Sequence, residues 1–172
     1  MAISTRRNLV LWRHAEAEDV LSASNDFSRR LTTKGESQAA IMASWLKRHL
    51  PRDTAIICSP AVRAEQTAQA LRLPYQINHH LLPEASISEV LEFVNELINN
   101  SNTHDVLLVG HQPWLGQVAA YFLQGSLSGV SIKKSAVWWL EQDLKSGCKF
   151  NSNEENRRFK LVAVQSPRFI ID

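Results

Sequence analysis

Asn8-Leu-Val-Leu-Trp-Arg-His-Ala-Glu16 decides the reading of this chain. Leu9 to Trp12 are consecutive branched or aromatic apolar residues, the pattern of a strand buried on both faces, and the run stops abruptly at Arg13-His14. A charged pair at the carboxyl end of such a strand falls where open α/β sheets place their ligands. Taken alone, an Arg-His pair at a strand end reads more simply as a solvated exit from the core. Its meaning depends on partners elsewhere in the chain.

The second buried run is Val106-Leu-Leu-Val-Gly110, which ends on His111, with Pro113 placed to open a helix through Val118 and Phe122. Strand two is Thr54-Ala-Ile-Ile-Cys58, and Ser59-Pro60 after it reads as an N-cap with proline at the first helical position of a helix carrying Arg63, Gln66 and Thr67. Tyr75-Gln-Ile77 is a weak third strand. Thr33 and Glu36 have capping-box spacing, and Ala39, Met42, Ala43, Leu46 and Leu50 follow at helical intervals until Pro51. Ser86 and Glu89 repeat the capping box before a stripe of Ile87, Val90, Leu91, Val94, Leu97 and Ile98. From Val130 the period becomes two, which predicts a half-exposed strand forming an edge hairpin with 159–164 across a polar turn at 143–156. The alternation predicts an α/β fold: a three-layer α/β/α sandwich with a mainly parallel sheet and antiparallel edge strands, one domain over residues 1–172.

Composition narrows the function classes. Hydrophobic residues at 44% and charged residues at 21% are ordinary for a globular protein, and no apolar run approaches the ~20 residues of a membrane span. A net charge of +2 is too small to argue for nucleic acid or membrane binding. The N-terminus lacks the pattern of a signal peptide, and Cys58 and Cys148 indicate no disulfide framework, which together fit the cytoplasm. Cys58 reads as core packing. His79-His80 lacks a third ligand at a suitable spacing and reads as exposed loop, so neither a metal nor a cofactor is implied. His49 reads as complementing a helix dipole, and His104 as loop surface. Arg6-Arg7 and Arg157-Arg158 read as solvated strand flanks, and at least one ring of Trp138-Trp139 should be core.

Arg13-His14, Ser59-Pro60 with Arg63, Glu84 in the loop after strand three, and His111 all sit at strand carboxyl ends or the helix starts that follow. Neighbouring strands lie about 4.8 Å apart, so such residues converge on one small ligand. Paired histidines among arginines repel unless an anion binds or the imidazoles are neutral, and phosphate matches the arginine fork and helix N-termini.

In order, Arg13-His14, Leu31-Thr32 with Gly35, Ser59-Pro60-x-x-Arg63-Ala64-x-Gln66-Thr67 and Gly110-His111 resemble the histidine phosphatase (phosphoglycerate-mutase-like) superfamily. The short chain, without large cap insertions, resembles the SixA-type phosphohistidine phosphatases. The resemblance implies that His14 is a nucleophile that becomes phosphorylated. It further implies that Arg13, Arg63 and His111 hold the phosphoryl oxygens, with Arg29 as a fourth contact. Glu84 best matches the position of the proton donor, with Glu16, Glu18 and Asp19 as alternatives. The implied partner is a protein bearing phosphohistidine or a small phosphorylated substrate, and a catalytically idle phosphoprotein-binding module is the reading outside enzymes. The family's usual glycine after the nucleophile is Ala15 here, a difference of one methyl that the retained arginines should make tolerable.

Overall fold

The computed structural model describes residues 6–100, 105–143 and 159–170. Cys148, His104, Arg157-Arg158 and most of the expected polar turn lie outside these residues. Strands β1 (Arg6–Arg13), β2 (Ala55–Cys58), β3 (Gln76–Ile77) and β4 (Asp105–Gly110) alternate with helices α1 (Thr33–His49), α2 (Val62–Gln69), α3 (Ile87–Asn99) and α4 (Trp114–Gln124). Strands β5 (Val137–Asp143) and β6 (Lys160–Gln165) follow. The six strands form one sheet in the order β3-β2-β4-β1-β5-β6. The first four are mutually parallel, and β5 and β6 finish one side as the antiparallel hairpin expected from the sequence.

Side-chain alternation builds the three layers. Leu9 and Leu11 of β1 and Val106 and Leu108 of β4 pack with α3 and α4 on one face. Val10, Trp12, Leu107 and Val109 pack with Met42, Ala43 and Leu46 of α1 and Ala64 and Ala68 of α2 on the other. Both central strands are therefore apolar at every successive position, as a strand covered on both faces requires. Parity also explains Arg7, which is buried rather than a solvated flank because it shares the face of Leu9 and Leu11.

Several local expectations change. Thr32, not Thr33, caps α1, accepting from the Gly35 N–H at 3.0 Å. Ser86 caps α3 as expected, accepting from Glu89 N–H at 3.3 Å. Ser59 does not cap α2, which starts at Val62 after Ala61; its hydroxyl accepts from the Ala61 N–H at 3.3 Å, short of the helix, and pairs with His111 at the sheet edge. The strand expected from Val130 begins only at Val137, since a turn around Lys133 and a left-handed Ser135 (φ 59°) break the ladder first. Trp138 and Trp139 are both half-buried, on opposite faces of the sheet. His49 sits in the last turn of α1, where its Nδ1 pairs with the Trp45 carbonyl at 2.7 Å.

Gly35 brings α1 against the loop that follows β1, and a Cβ there would stand 1.9 Å from the Glu16 carbonyl oxygen. Gly35→Ala is therefore expected to cost about 1–3 kcal/mol of stability by forcing backbone apart. Thermal denaturation checks this, and an unchanged melting temperature would show that the close approach carries no constraint.

Candidate active site

The site grows from the carboxyl ends of β2, β4 and β1, which are adjacent in the sheet. The parallel register of β1 and β4 runs from Asn8 opposite Asp105 to Arg13 opposite Gly110. One step further, His14 N–H donates to the Gly110 carbonyl at 2.9 Å, so the ladder itself fixes where His14 leaves the sheet. His111 begins the same exit on β4. The two imidazole rings lie 5.1 Å apart, tilted by 51°.

Hydrogen bonds settle the tautomer of His14. Its Nδ1 lies 2.7 Å from the Ala15 carbonyl oxygen, which can only accept, so Nδ1 carries the hydrogen. Nε2 then keeps its lone pair, and it accepts from Arg63 Nε–H at 3.3 Å. His111 Nε2 pairs with Ser59 Oγ at 2.8 Å. Both rings are held neutral. His14, 6% exposed, has its pKa lowered to about 3 by burial and then by Arg63, Arg13 and Arg29, against the Ala15 carbonyl, which opposes the shift. Burial first, then His14 and the same arginines, lower His111 to about 2.

These depressions have a consequence for stability. Below the ordinary value of 6.5 the unfolded chain takes up protons at both histidines while the folded chain does not. Stability from these groups is present above pH 6.5 and falls as the pH drops from there towards 3, by up to about 1.4 kcal/mol per pH unit for each ring. Urea unfolding at pH 7 and pH 5 should show a lower midpoint at pH 5. A midpoint unchanged over that range would mean that the rings are not held neutral.

Helix α2 acts as a hub for the loop after β1, and each polar member of its motif has a task. Gln66 Oε1 accepts from Leu31 N–H at 2.8 Å. Thr67 Oγ1 accepts from Ala15 N–H at 3.1 Å and donates to the Arg63 carbonyl at 2.7 Å. Arg63, only 3% exposed, donates from Nη1 to the Asp26 carbonyl and from Nη2 to Asp26 Oδ2 at 2.8 Å. Arg29 joins from the other side, with Nη2 2.7 Å from Asp26 Oδ1 and Nη1 donating to the Glu18 carbonyl at 2.8 Å. Arg13 donates to the Ile132 carbonyl at 2.8 Å, and Ser135 N–H donates to the His14 carbonyl at 3.1 Å, so the loop before β5 closes the remaining side.

The structure thus brings together His14, Arg13, Arg63, Arg29 and His111. Glu84 stays outside this group. It is exposed, makes no hydrogen bond among the described residues, and lines a groove with His79, His80 and Glu89. Its link to the site is electrostatic, through Arg63. The alternative acids are committed elsewhere: Glu16 to Lys34 at 3.0 Å, Glu18 to the Arg30 N–H, and Asp19 to the Val20 N–H. Ala15 keeps out of the left-handed region, and its methyl packs with Leu31 and Ala39. Cys58 is buried, and burial followed by Glu65 pushes its thiol pKa up, which leaves it a packing residue. Among the described residues no group of His, Cys, Asp and Glu side chains is placed to hold a metal ion, and no helix is long and apolar enough to cross a membrane.

Asp26 is the site residue that sequence reading misses. Its spacing from Arg29, three residues, was the available signal, but an acidic side chain is not what a cluster of arginines and histidines leads one to seek.

The chain is similar to known proteins in sequence and in fold. The histidine phosphatase superfamily (branch 1) profile matches residues 9–86. The phosphohistidine phosphatase SixA homolog of Haemophilus influenzae is 32% identical over 143 residues, covering 76% of this chain and 85% of that protein. The phosphohistidine phosphatase SixA of Escherichia coli is 31% identical over 121 residues, covering 67% and 73%. The structure of the protein histidine phosphatase SixA complexed with tungstate superimposes with a TM-score of 0.76 at 24% identity, over 94% of this chain and 97% of that one. With an identity above 30% across most of both chains, and with the same fold, this chain belongs to the histidine phosphatase superfamily.

Proposed function

We propose that the protein is a metal-independent phosphatase that removes the phosphoryl group from a phosphohistidine carried by another protein. The observation that carries this reading is the pairing at His14: Nδ1–H fixed on the Ala15 carbonyl, and a lone pair on Nε2 facing Arg63. Nε2 attacks phosphorus, the P–N bond of the substrate breaks, and the substrate imidazole leaves with that electron pair and takes up a proton from solvent, which the attacking water of the next step gives back. Water then attacks the phosphorus on His14, returning free His14 and inorganic phosphate.

Arg63 Nε–H must move from His14 Nε2 to a phosphoryl oxygen as the lone pair is used. The Ala15 carbonyl supports the positive charge that develops on the phosphorylated ring. Arg13, Arg29 and Arg63 supply the charge that a metal ion supplies in other phosphatases, and His111 remains a neutral hydrogen-bonding partner. A chain without a large cap insertion, working as one cytoplasmic domain, leaves this site open to a side chain of a second protein.

Release of phosphate from a phosphohistidine protein and from sugar phosphates, with and without EDTA, tests the reading. Expected is preferential, EDTA-insensitive hydrolysis of phosphohistidine. Preference for sugar phosphates would overturn the protein substrate, loss of activity in EDTA would overturn the metal-free mechanism, and a protein inert on all of them would be a binding module.

A second reading is a small-metabolite phosphomonoesterase in which Glu84, placed in the loop after β3 and within electrostatic reach of Arg63, protonates the leaving alkoxide. An alkoxide needs that proton far more than an imidazole does. Under this reading Glu84→Gln lowers hydrolysis of a phosphomonoester by about a hundredfold. Equal, small effects on ester and phosphohistidine would remove Glu84 from the chemistry.

A further inference from the structure

Asp26 lies in the loop after β1, and its side chain is 47% exposed, yet it makes more contacts with the site than any other acid there. Its partner Arg63 is, among the described residues, the least exposed of the charged side chains, at 3%, so this is not an ion pair between two solvated side chains. The guanidinium is planar, with its donors at fixed angles. When Nη1 and Nη2 are both held on Asp26, the Nε–H edge has one direction left to point, and that direction is His14 Nε2.

The second carboxylate oxygen holds Arg29 by Nε at 2.9 Å and by Nη2 at 2.7 Å. One carboxylate thereby locks two guanidiniums, one from α2 and one from the loop after β1, into a single clamp. Charge is set by the same contact: Arg13, Arg29 and Arg63 against Asp26 leave the cluster two positive charges in excess, the match for a phosphoryl dianion.

We propose that Asp26 is a positioning residue of the phosphoryl transfer, aiming Arg63 at the reacting nitrogen and fixing Arg29 beside it. This rests on the reading of His14 as the nucleophile. Asp26 touches neither the nucleophile nor the phosphoryl group; it acts through the arginines. A carboxylate present only to hold the loop closed would affect stability and substrate binding but not the alignment of Arg63.

The test compares wild type, Asp26→Asn, Arg63→Ala and the double variant. Asparagine keeps the shape but turns one acceptor into a donor facing an arginine. Expected is a fall in kcat of about a hundredfold with KM changed far less. In the Arg63→Ala background the same substitution should cost far less, because its main path to the chemistry is already gone and only the hold on Arg29 remains to be lost. Asp26→Glu, which restores the charge, should recover part of the loss. Turnover of Asp26→Asn within twofold of wild type, or a full additional loss in the Arg63→Ala background, would overturn the proposal.

Arginine side-chain NMR gives an answer that does not depend on turnover. In wild type the buried Arg63 Nε–H should exchange slowly with solvent, and in Asp26→Asn it should exchange fast while the backbone spectrum and melting temperature stay close to wild type. Unchanged protection of Arg63 Nε–H would overturn the proposal even if wild type proved inert on every substrate, an outcome that would count against the phosphatase reading alone. If Asp26→Asn failed to fold, the same spectrum and kinetics of Asp26→Glu would decide, with wild-type protection and turnover in a carboxylate shifted by one methylene counting against it.

Discussion

His14→Ala is expected to lower turnover by at least about ten-thousandfold, the scale of loss when a nucleophile acting as part of a unit is removed. The reason is geometric as well as chemical. His111, 5.1 Å away, cannot take over the attack, because its Nε2 already pairs with Ser59 Oγ and its Nδ1 is fully buried. Folding should survive, since His14 contributes a small, partly polar surface at the sheet edge and its backbone N–H stays bonded to Gly110. The measurement is single-turnover phosphate release beside a thermal melt. Residual turnover above about one hundredth of wild type in a folded variant would remove His14 from the role of nucleophile.

Arg63→Ala should cost about a thousandfold, at the upper end for a preorganised donor aimed at developing charge. Three losses add at one position. The donor nearest the attacking nitrogen goes, one of the charges that lower the His14 pKa goes, and Asp26 is left facing the site with only Arg29 to pair it. Arg63→Lys should recover little, because a point charge cannot hold the Asp26 carbonyl and carboxylate and face His14 together. Activity of Arg63→Ala within tenfold of wild type would show that the clamp is not part of the reaction.

Much of the fold was legible because the central strands are extreme. Leu9 to Trp12 and Val106 to Val109 are apolar at every position, a pattern that only a strand covered on both faces explains, and both end on the histidines that matter. The helices were readable from their stripes, although the cap of α1 fell one residue earlier than the capping-box spacing suggested, at Thr32. The region from Val130 to Ala136 misled because its alternation breaks at Lys134, which is exposed, and Ser135, which is buried, and its backbone serves a clamp: Ile132 offers its carbonyl to Arg13, and Ser135 its N–H to His14. A short side-chain period does not report whether the backbone pairs with a strand.

The site shows the same division. Residues whose type announces phosphate chemistry, His14, Arg13, Arg63 and His111, stand out at strand ends. Gln66 and Thr67 were visible as motif members, but their tasks, holding the N–H groups of Leu31 and Ala15, depend on contacts across 35 and 52 residues of chain. Asp26 was hidden for the opposite reason, since its charge opposes that of the ligand and only the two arginines gathered on it reveal its use. The methyl of Ala15 went into apolar packing instead of the pocket, which spacing could not have told.

The central claim is that His14 carries the phosphoryl group between substrate and water. Rapid acid-free quenching after mixing with a phosphohistidine protein, followed by proteolysis and mass spectrometry, tests it most directly. The account predicts one phosphoryl group on His14, acid-labile, alkali-stable and absent from His14→Ala. Steady turnover with no label on His14, or with label on another residue, would contradict it.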